Sequence, residues 1–468
     1  MKAKVSKTYL VFIAVLTAIA ATVALTSCQT GGESSSQRTT AAASAATQDE
    51  AAAATLPEGS GSAKLTESDI AVNETIENAE DGGHAIVADG ETLSYANVRV
   101  NKTGEADGDE ADFYGENAAV YAANGGTLTL KEVVVKTDGT HANAVFSYGE
   151  GTTVNIANAY IETSGNCSGG LMTTGGGTMN AENLTINTSG NSSAAIRSDR
   201  GGGTVNVTGG NYTTSGTGSP VIYSTADITV SDATMTSTAS QGVVVEGKNA
   251  VTLNNVNLTA DNNKKNSDKS SRYQAVMIYQ SMSGDAAEGA SRFAMNGGTL
   301  TNQNGDVFFI NNTATEITLN NAQITNNGNG VFLRAAAAGW GSEGSNGGQV
   351  TLNASNQIIN GDMIVDSVSH LNLYLSNNAS FTGAINSSGQ DGEVYVEIED
   401  GSIWTLTGDS YITGMTCGAN AINLNGHKLF IDGTSYTEGS ASFGDPIAVQ
   451  STGNGHGGGN PPAKPEND

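Results

Sequence analysis

The 468-residue chain has little of most things a catalytic or nucleic-acid-binding protein relies on. It holds 3 cysteines, 5 histidines and only 20 lysines and arginines against 47 acids, and its aromatic content is 6%. Three cysteines cannot staple a chain of this size. The scattered histidines His84, His141, His370, His427 and His456 share no metal-ligand spacing, so each reads as a solvated turn residue. A net charge of −27 makes nucleic acid a poor partner and suits solubility outside the cell. No amphipathic helix of useful length follows residue 60, and the 60 glycines are spread through the chain.

What is present is a repeat. Thr153-Val154-Asn155-Ile156, Thr178-Met179-Asn180-Ala181 and Thr204-Val205-Asn206-Val207 are one string with different letters. The register extends through positions 128, 154, 179, 205, 228 and 251, at spacings of 26, 25, 26, 23 and 23 residues. Self-similarity at this period marks a solenoid, in which no unit buries its own apolar face. Each unit reads as three short alternating runs broken by Gly, Asn, Ser and Asp, which is a strand signal. The predicted fold is all-β: a single-stranded right-handed parallel β-helix of about a dozen coils, each of three short strands. At about 4.8 Å per coil the rod would be about 60 Å long. Disorder, which the same composition could encode, is opposed by apolar columns that stay in register for over two hundred residues.

The first run supplies the inward column Leu130, Ile156, Ala181, Val207, Val230 and Leu253. The second supplies Val135, Ile161, Ile186, Tyr212, Met235 and Leu258. The third supplies Val120, Val145, Leu171, Ile196, Val221, Val243, Val276, Val307 and Val331, after which the pattern loosens. Thr129, Asn155, Asn180, Asn206, Thr229 and Thr252 form the outward ladder between the inward positions of the first run. Corners tolerant of positive φ explain the glycine content.

Residues 1–27 carry Lys2, Lys4 and Lys7, then an apolar stretch, then Leu25-Thr26-Ser27-Cys28. This is the pattern of a lipoprotein signal peptide, with Cys28 as the expected site of lipid attachment. An ordinary cleaved signal and a single membrane anchor are the alternatives. Removing residues 1–27, which contain no acid, takes the net charge to −30. Residues 28–58 read as a disordered tether reaching about 30 Å, residues 59–453 as the β-helix with an N-terminal cap, and residues 454–468 as a disordered tail. The expected location is extracytoplasmic and surface-exposed, with the membrane touched through the lipid alone. Cys167 and Cys417 lie about ten coils apart, too far for a disulfide in a regular solenoid, so none is expected.

Candidate functional residues fall in three groups. The outward positions of the third run are unusually apolar: Tyr121, Phe146, Tyr148, Met172, Met277, Tyr279, Phe308 and Phe332, joined by Ile222 and Val244, with Arg334 and Trp340 nearby. Such a stripe either stacks on sugar faces or is buried by the insertions 262–274, 281–291 and 335–348. A parity slip of one residue would move it into the core. Second, Asp107, Asp109 and Asp112 place acids at the alternating positions of a Ca²⁺ loop, without the twelve-residue pattern or its closing Glu, so Ca²⁺ is the one cofactor suggested. Third, Arg197-Ser198-Asp199-Arg200 projects charges outward, as a surface ion pair or as local chemistry. The basic run Lys264-Lys265-Asn266-Ser267-Asp268-Lys269 reads first as a solvated loop, with an anionic glycan as the functional alternative.

The stretches Tyr114-Gly115-Glu116-Asn117-Ala118-Ala119-Val120, Ser198-Asp199-Arg200-Gly201-Gly202-Gly203, Gly218-Ser219-Pro220-Val221-Ile222-Tyr223-Ser224 and Val245-Glu246-Gly247-Lys248-Asn249 resemble bacterial secreted β-helix proteins of the pectin-lyase-like superfamily. Gly401-Ser402-Ile403-Trp404-Thr405-Leu406-Thr407-Gly408-Asp409-Ser410 is similar to the strand-turn pattern of autotransporter passengers and adhesins. The resemblance implies surface display. The acid, His-Gly and Arg-Ile-Lys motifs of the superfamily's enzymes are missing from the coil region, so no catalytic residue carries over. The expected role is a non-catalytic adhesin or carbohydrate-binding module that meets a polysaccharide or a surface protein of a host or neighbouring cell. A polysaccharide lyase or glycoside hydrolase with an unfamiliar site is the alternative, and a structural envelope protein the third.

Overall fold

The computed structural model describes residues 64–281, 283–389 and 391–449. The signal, tether and lipid-attachment expectations at 1–58, Cys28 included, and the tail at 454–468 lie outside them. Among the described residues no helix is long and apolar enough to cross a membrane.

The chain winds as a parallel β-helix. Strands of the first run form a 13-stranded sheet from Thr92–Ala96 to Gly414–Cys417. Those of the second run form ten strands from Glu74–Asn78 to Gln323–Asn326, and those of the third run eleven from Ile86–Asp89 to Asp362–Val365. A four-stranded sheet from Ile358–Asn360 to Ile422–Asn423 follows the second-run sheet. An antiparallel hairpin, pairing Leu429–Ile431 with Thr434–Ser435, ends the regular structure.

The inward columns of the first two runs are as expected. Leu130, Ile156, Ala181, Val207, Val230 and Leu253 pair strand to strand and are buried, as are Val135, Ile161, Ile186, Tyr212, Met235 and Leu258. Each such side chain contributes roughly 1.5–3 kcal/mol on burial, and the stack joins them in one continuous core. The corner from first to second run is tight, and its residue sits in the left-handed region. Asn97, Glu132, Asn158, Asn183, Asp232, Asn255, Asn321 and Asn356 hold φ between 49° and 57°. Short polar side chains tolerate that conformation, and they bond between coils: Asn183 Nδ2 donates to Asn158 Oδ1 at 2.8 Å and Asn255 Nδ2 to Asp232 Oδ1 at 2.7 Å.

The third run departs from expectation at three coils. Ile196 pairs with Ile222, Val276 with Phe308, and Phe308 with Leu333, so Ile222, Phe308 and Leu333 hold the inward register positions; Val221 and Val307 pack into the same core beside them, whereas Val331 does not. A register shift between Val331 and Leu333 brings Phe332 into the same core, its ring 5.5 Å from that of Phe308. Phe308 and Phe332 are therefore core residues and leave the candidate stripe. The cause is visible in Gln274–Tyr279 and Asp306–Asn311, where every residue is buried. A strand covered on both faces has no alternation to read.

The expected N-terminal cap lies along the side of the rod. Its 3₁₀ turn, Glu67–Asp69, places Glu67 against Arg99 at 2.7 Å and Lys136 at 2.9 Å, on the outward side of the second-run sheet.

Candidate functional site

The outward column of the third run is Tyr121, Phe146, Met172, Arg197, Tyr223, Val244, Met277, Phe309 and Arg334 in register. All except Arg334 are at most 5% exposed. The stripe exists, and it is covered.

Two covers do this. Residues 103–119, bearing the one short helix Asp109–Tyr114, lie over Tyr121, Phe146 and Met172. Thr174 Oγ1 donates to the Phe113 carbonyl at 2.6 Å, and Tyr114 meets half-buried Tyr148 edge to face at 5.7 Å. Gly115 closes the helix at φ 69°, where an added Cβ would sit 2.7 Å from the Phe146 ring. The second cover combines the loop after Tyr279 with residues 336–347. Trp340 is 5.1 Å from Tyr279, and Asn346 Nδ2 donates to the carbonyls of Ala338 and Trp340, each at 2.8 Å. Met277 and Tyr279 lie beneath it with Tyr223, Val244 and Phe309. The insertions at 281–291 and 335–348 were expected to bury the stripe; the segment 103–119 was not.

Where the covers meet, the column turns polar. Arg197 Nη2 donates to Asp112 Oδ2 at 3.1 Å and to Asp199 Oδ2 at 3.0 Å, and His141 Nδ1 lies 2.9 Å from Asp112 Oδ1. Arg200 bonds Asp285 of the second cover at 2.7 Å while its guanidinium rests 3.9 Å above the Phe113 ring of the first. Tyr223 and Tyr279 both donate to Glu246 Oε2, the latter at 2.9 Å. Burial and the nearby Asp285 push Asp199 up to about 7 and raise Glu246. Burial alone would raise Asp112 as well, but Arg197 and His141 outweigh it and hold that carboxyl below its ordinary value. Arg197-Ser198-Asp199-Arg200 is thus no surface ion pair: Arg197 and Asp199 are each 1% exposed. His141 is not a solvated turn residue either.

The Ca²⁺ loop does not assemble around Asp112, which is engaged by Arg197 and His141, while Asp107 is exposed and Asp109 opens the helix. Asp112, His141 and Cys167 bring ligand atoms within 4.8 Å of one another. The Cys167 sulfur is in a disulfide, which removes it as a thiolate. Cys417 is a buried free thiol, so the two distant cysteines are not joined. A disulfide at Cys167 nonetheless overturns the expectation of none.

An open groove of about 350 Å³ lies at the edge of the second cover, lined by Arg272, Tyr273, Asn304, Asn327, Asn329 and Arg334 among others. The same turn on successive coils, Asn302-Gln303-Asn304-Gly305 and Asn326-Asn327-Gly328-Asn329, supplies its amides. Asp306, 1% exposed, organises the floor: it accepts from Arg334 Nε at 2.7 Å and from Asn329 Nδ2 at 2.7 Å. Asn304 Nδ2 is held on the Asn262 carbonyl at 2.8 Å and Asn327 Nδ2 on Gln303 Oε1 at 3.1 Å. At Gly305, φ 72°, a Cβ would lie 1.8 Å from the Tyr273 carbonyl, so only glycine allows this turn. A larger groove of about 660 Å³ lies beside Glu67–Asp69, where Glu67 meets both Arg99 and Lys136.

Of the residues anticipated from sequence, Tyr121, Phe146 and Met172 come together under the first cover and Met277, Tyr279 and Trp340 under the second; only Arg334 reaches an open groove. Arg272, Tyr273 and the asparagines were missed, although the basic run 264–269 just ahead of Arg272 and the paired Asn-Gly turns were available signals. No family model, curated protein or solved structure matches this chain.

Proposed function

We propose that this chain is a surface-displayed, lipid-anchored β-helix that holds carbohydrate without cleaving it, a role akin to the adhesin-like members of the pectin-lyase-like superfamily it resembles. The groove carries the reading. It presents guanidinium and amide donors, held by bonds to Asp306, Asn262 and Gln303, beside the ring of Tyr273 on an open face. Sugars are recognised by such fixed planar polar groups together with an aromatic surface. The buried aromatic stripe takes no part, because both covers stand between it and any polymer.

Cleavage is the second reading, favoured by the two raised carboxyls Asp199 and Glu246 lying near two phenols. Asp199 is 1% exposed and Glu246 fully buried, which leaves a polysaccharide no approach to either.

The full-length chain applied to a glycan array, followed by calorimetry on any hit and incubation to detect shortened or unsaturated products, tests both. Binding without turnover, weakened by Tyr273→Ala, supports the proposal. Turnover lost in Glu246→Gln would replace it with the enzyme reading, and silence on every glycan would overturn it.

A further inference from the structure

The groove holds one guanidinium that no carboxylate pairs directly, Arg272, whose Cζ lies 5.9 Å from the Phe309 ring centre. Arg334 is matched: its guanidinium lies on Asp306 through two contacts, at 2.7 and 3.3 Å. Asp306 also accepts from Asn329 Nδ2 at 2.7 Å, and no direct contact joins it to a second cation. Arg272 is half-buried on the same groove, and among the described residues no carboxylate lies within salt-bridge distance of it. Its Nε is buried with no hydrogen-bond partner. Asp366, the next acid whose field reaches it, accepts the Ala337 amide at 2.7 Å and the Ser369 hydroxyl at 2.6 Å. Burial, and then the neighbouring Arg334 cation, disfavour its charged form. A guanidinium withdrawn from water beside a like charge is destabilised until an anion meets it, and its planar fork is shaped for an oxyanion.

We infer that the groove binds a saccharide through a singly charged oxyanion, a carboxylate or a sulfate monoester, seated on Arg272, with neighbouring hydroxyls on the asparagine amides and Tyr273. This rests on the carbohydrate-holding reading and names its ligand class. One negative charge is the match because Arg272 is the single guanidinium of the groove without a direct carboxylate partner, Asp306 and Asp366 acting on it only from beyond contact. The basic run 264–269 extends the favourable field, with Lys265 Nζ 5.8 Å from the Tyr273 ring centre.

Calorimetry on the full-length chain would compare neutral, uronate-bearing and sulfated oligosaccharides of equal length, alongside wild-type, Arg272→Gln and Arg272→Lys proteins. Melting curves would be recorded with sodium sulfate and with sodium glucuronate as the only added anions. The expected result is that one charged class binds at least about tenfold tighter than the neutral one, a gap of about 1.4 kcal/mol. Arg272→Gln should erase that gap without lowering the melting temperature, Arg272→Lys should restore part of it, and added salt should narrow it. Whichever of uronate and sulfate binds tighter identifies the source of the oxyanion. Equal affinity for neutral and charged sugars would overturn the inference and leave the carbohydrate reading standing. Failure of every oligosaccharide, with a small-anion melting shift that Arg272→Gln abolishes, would keep the anion site and discard the carbohydrate. No sugar binding and no Arg272-dependent anion shift would sink both.

Discussion

The outward faces of the first and third runs begin from one rule and end as opposites. On the first-run sheet, Thr129, Asn155, Asn180, Asn206, Thr229 and Thr252 face solvent in register, Asn180 donating to Asn155 and Asn206 to Asn180, each at 3.0 Å. On the third-run sheet the equivalent positions carry Tyr121, Phe146, Met172, Arg197, Tyr223 and Met277, all buried under chain contributed from elsewhere. Period two says which positions leave the core. It does not say whether they reach water. Over these six coils the first face is open, the C-terminal segment reaching that sheet only later, at Asn372 and Thr416, whereas the third is overlaid by 103–119 and by the loops after Tyr279 and Ala335.

Substitutions on the two faces should therefore differ by an order of magnitude. Arg197→Met strands Asp199 as a buried acid without a cation and leaves Asp112 only His141, and should cost about 3–5 kcal/mol in chemical denaturation. Phe146→Ala and Tyr279→Ala should cost about as much by emptying covered sites, and would lower the melting temperature steeply. An unchanged melting temperature would mean the covers do not seal the stripe. Gly115→Ala, which drives a methyl into the Phe146 ring at positive φ, should cost about 1–3 kcal/mol.

Acidity separates the two carboxyls beneath the covers. Asp199 has a folded-state value raised from 3.8 to about 7, so the native state holds its proton more tightly than the unfolded chain, and stability should fall as pH rises from about 4 to about 7. Asp112 is shifted the other way, so its contribution is present above 3.8 and is lost as pH falls below that. Melting temperature against pH should show both limbs, and Asp199→Ala should remove only the neutral one. The smallest effect belongs to the ladder: Asn180→Ala, on the outward face of the first run, should change stability by no more than about 0.5 kcal/mol.

The sequence was legible where one face of a strand is wet. Leu130 and Val135 could be placed inward because Thr129 and Lys136 beside them are polar. It became illegible at Phe308 and Phe332, where both faces are apolar and a turn of altered length or a bulge decides parity. The groove was half legible: Arg334 stood out as a lone cation in an apolar run. Arg272 and the asparagines did not, because they meet only when turns from successive coils are stacked, and a single turn gives no sign of its neighbour.

The sequence by itself determined the solenoid, its period and the inward columns of the first two runs, because these follow from local alternation repeated at a fixed interval, and each coil constrains the next. Only the tertiary structure decided that the third-run stripe is sealed, that Arg197 and Asp199 are buried and that Arg272 stands without a direct carboxylate partner beside a paired Arg334. Those outcomes depend on contacts between residues such as Asp112 and Arg197, separated by 85 positions, and no local pattern along the chain records which distant segment will lie on which face.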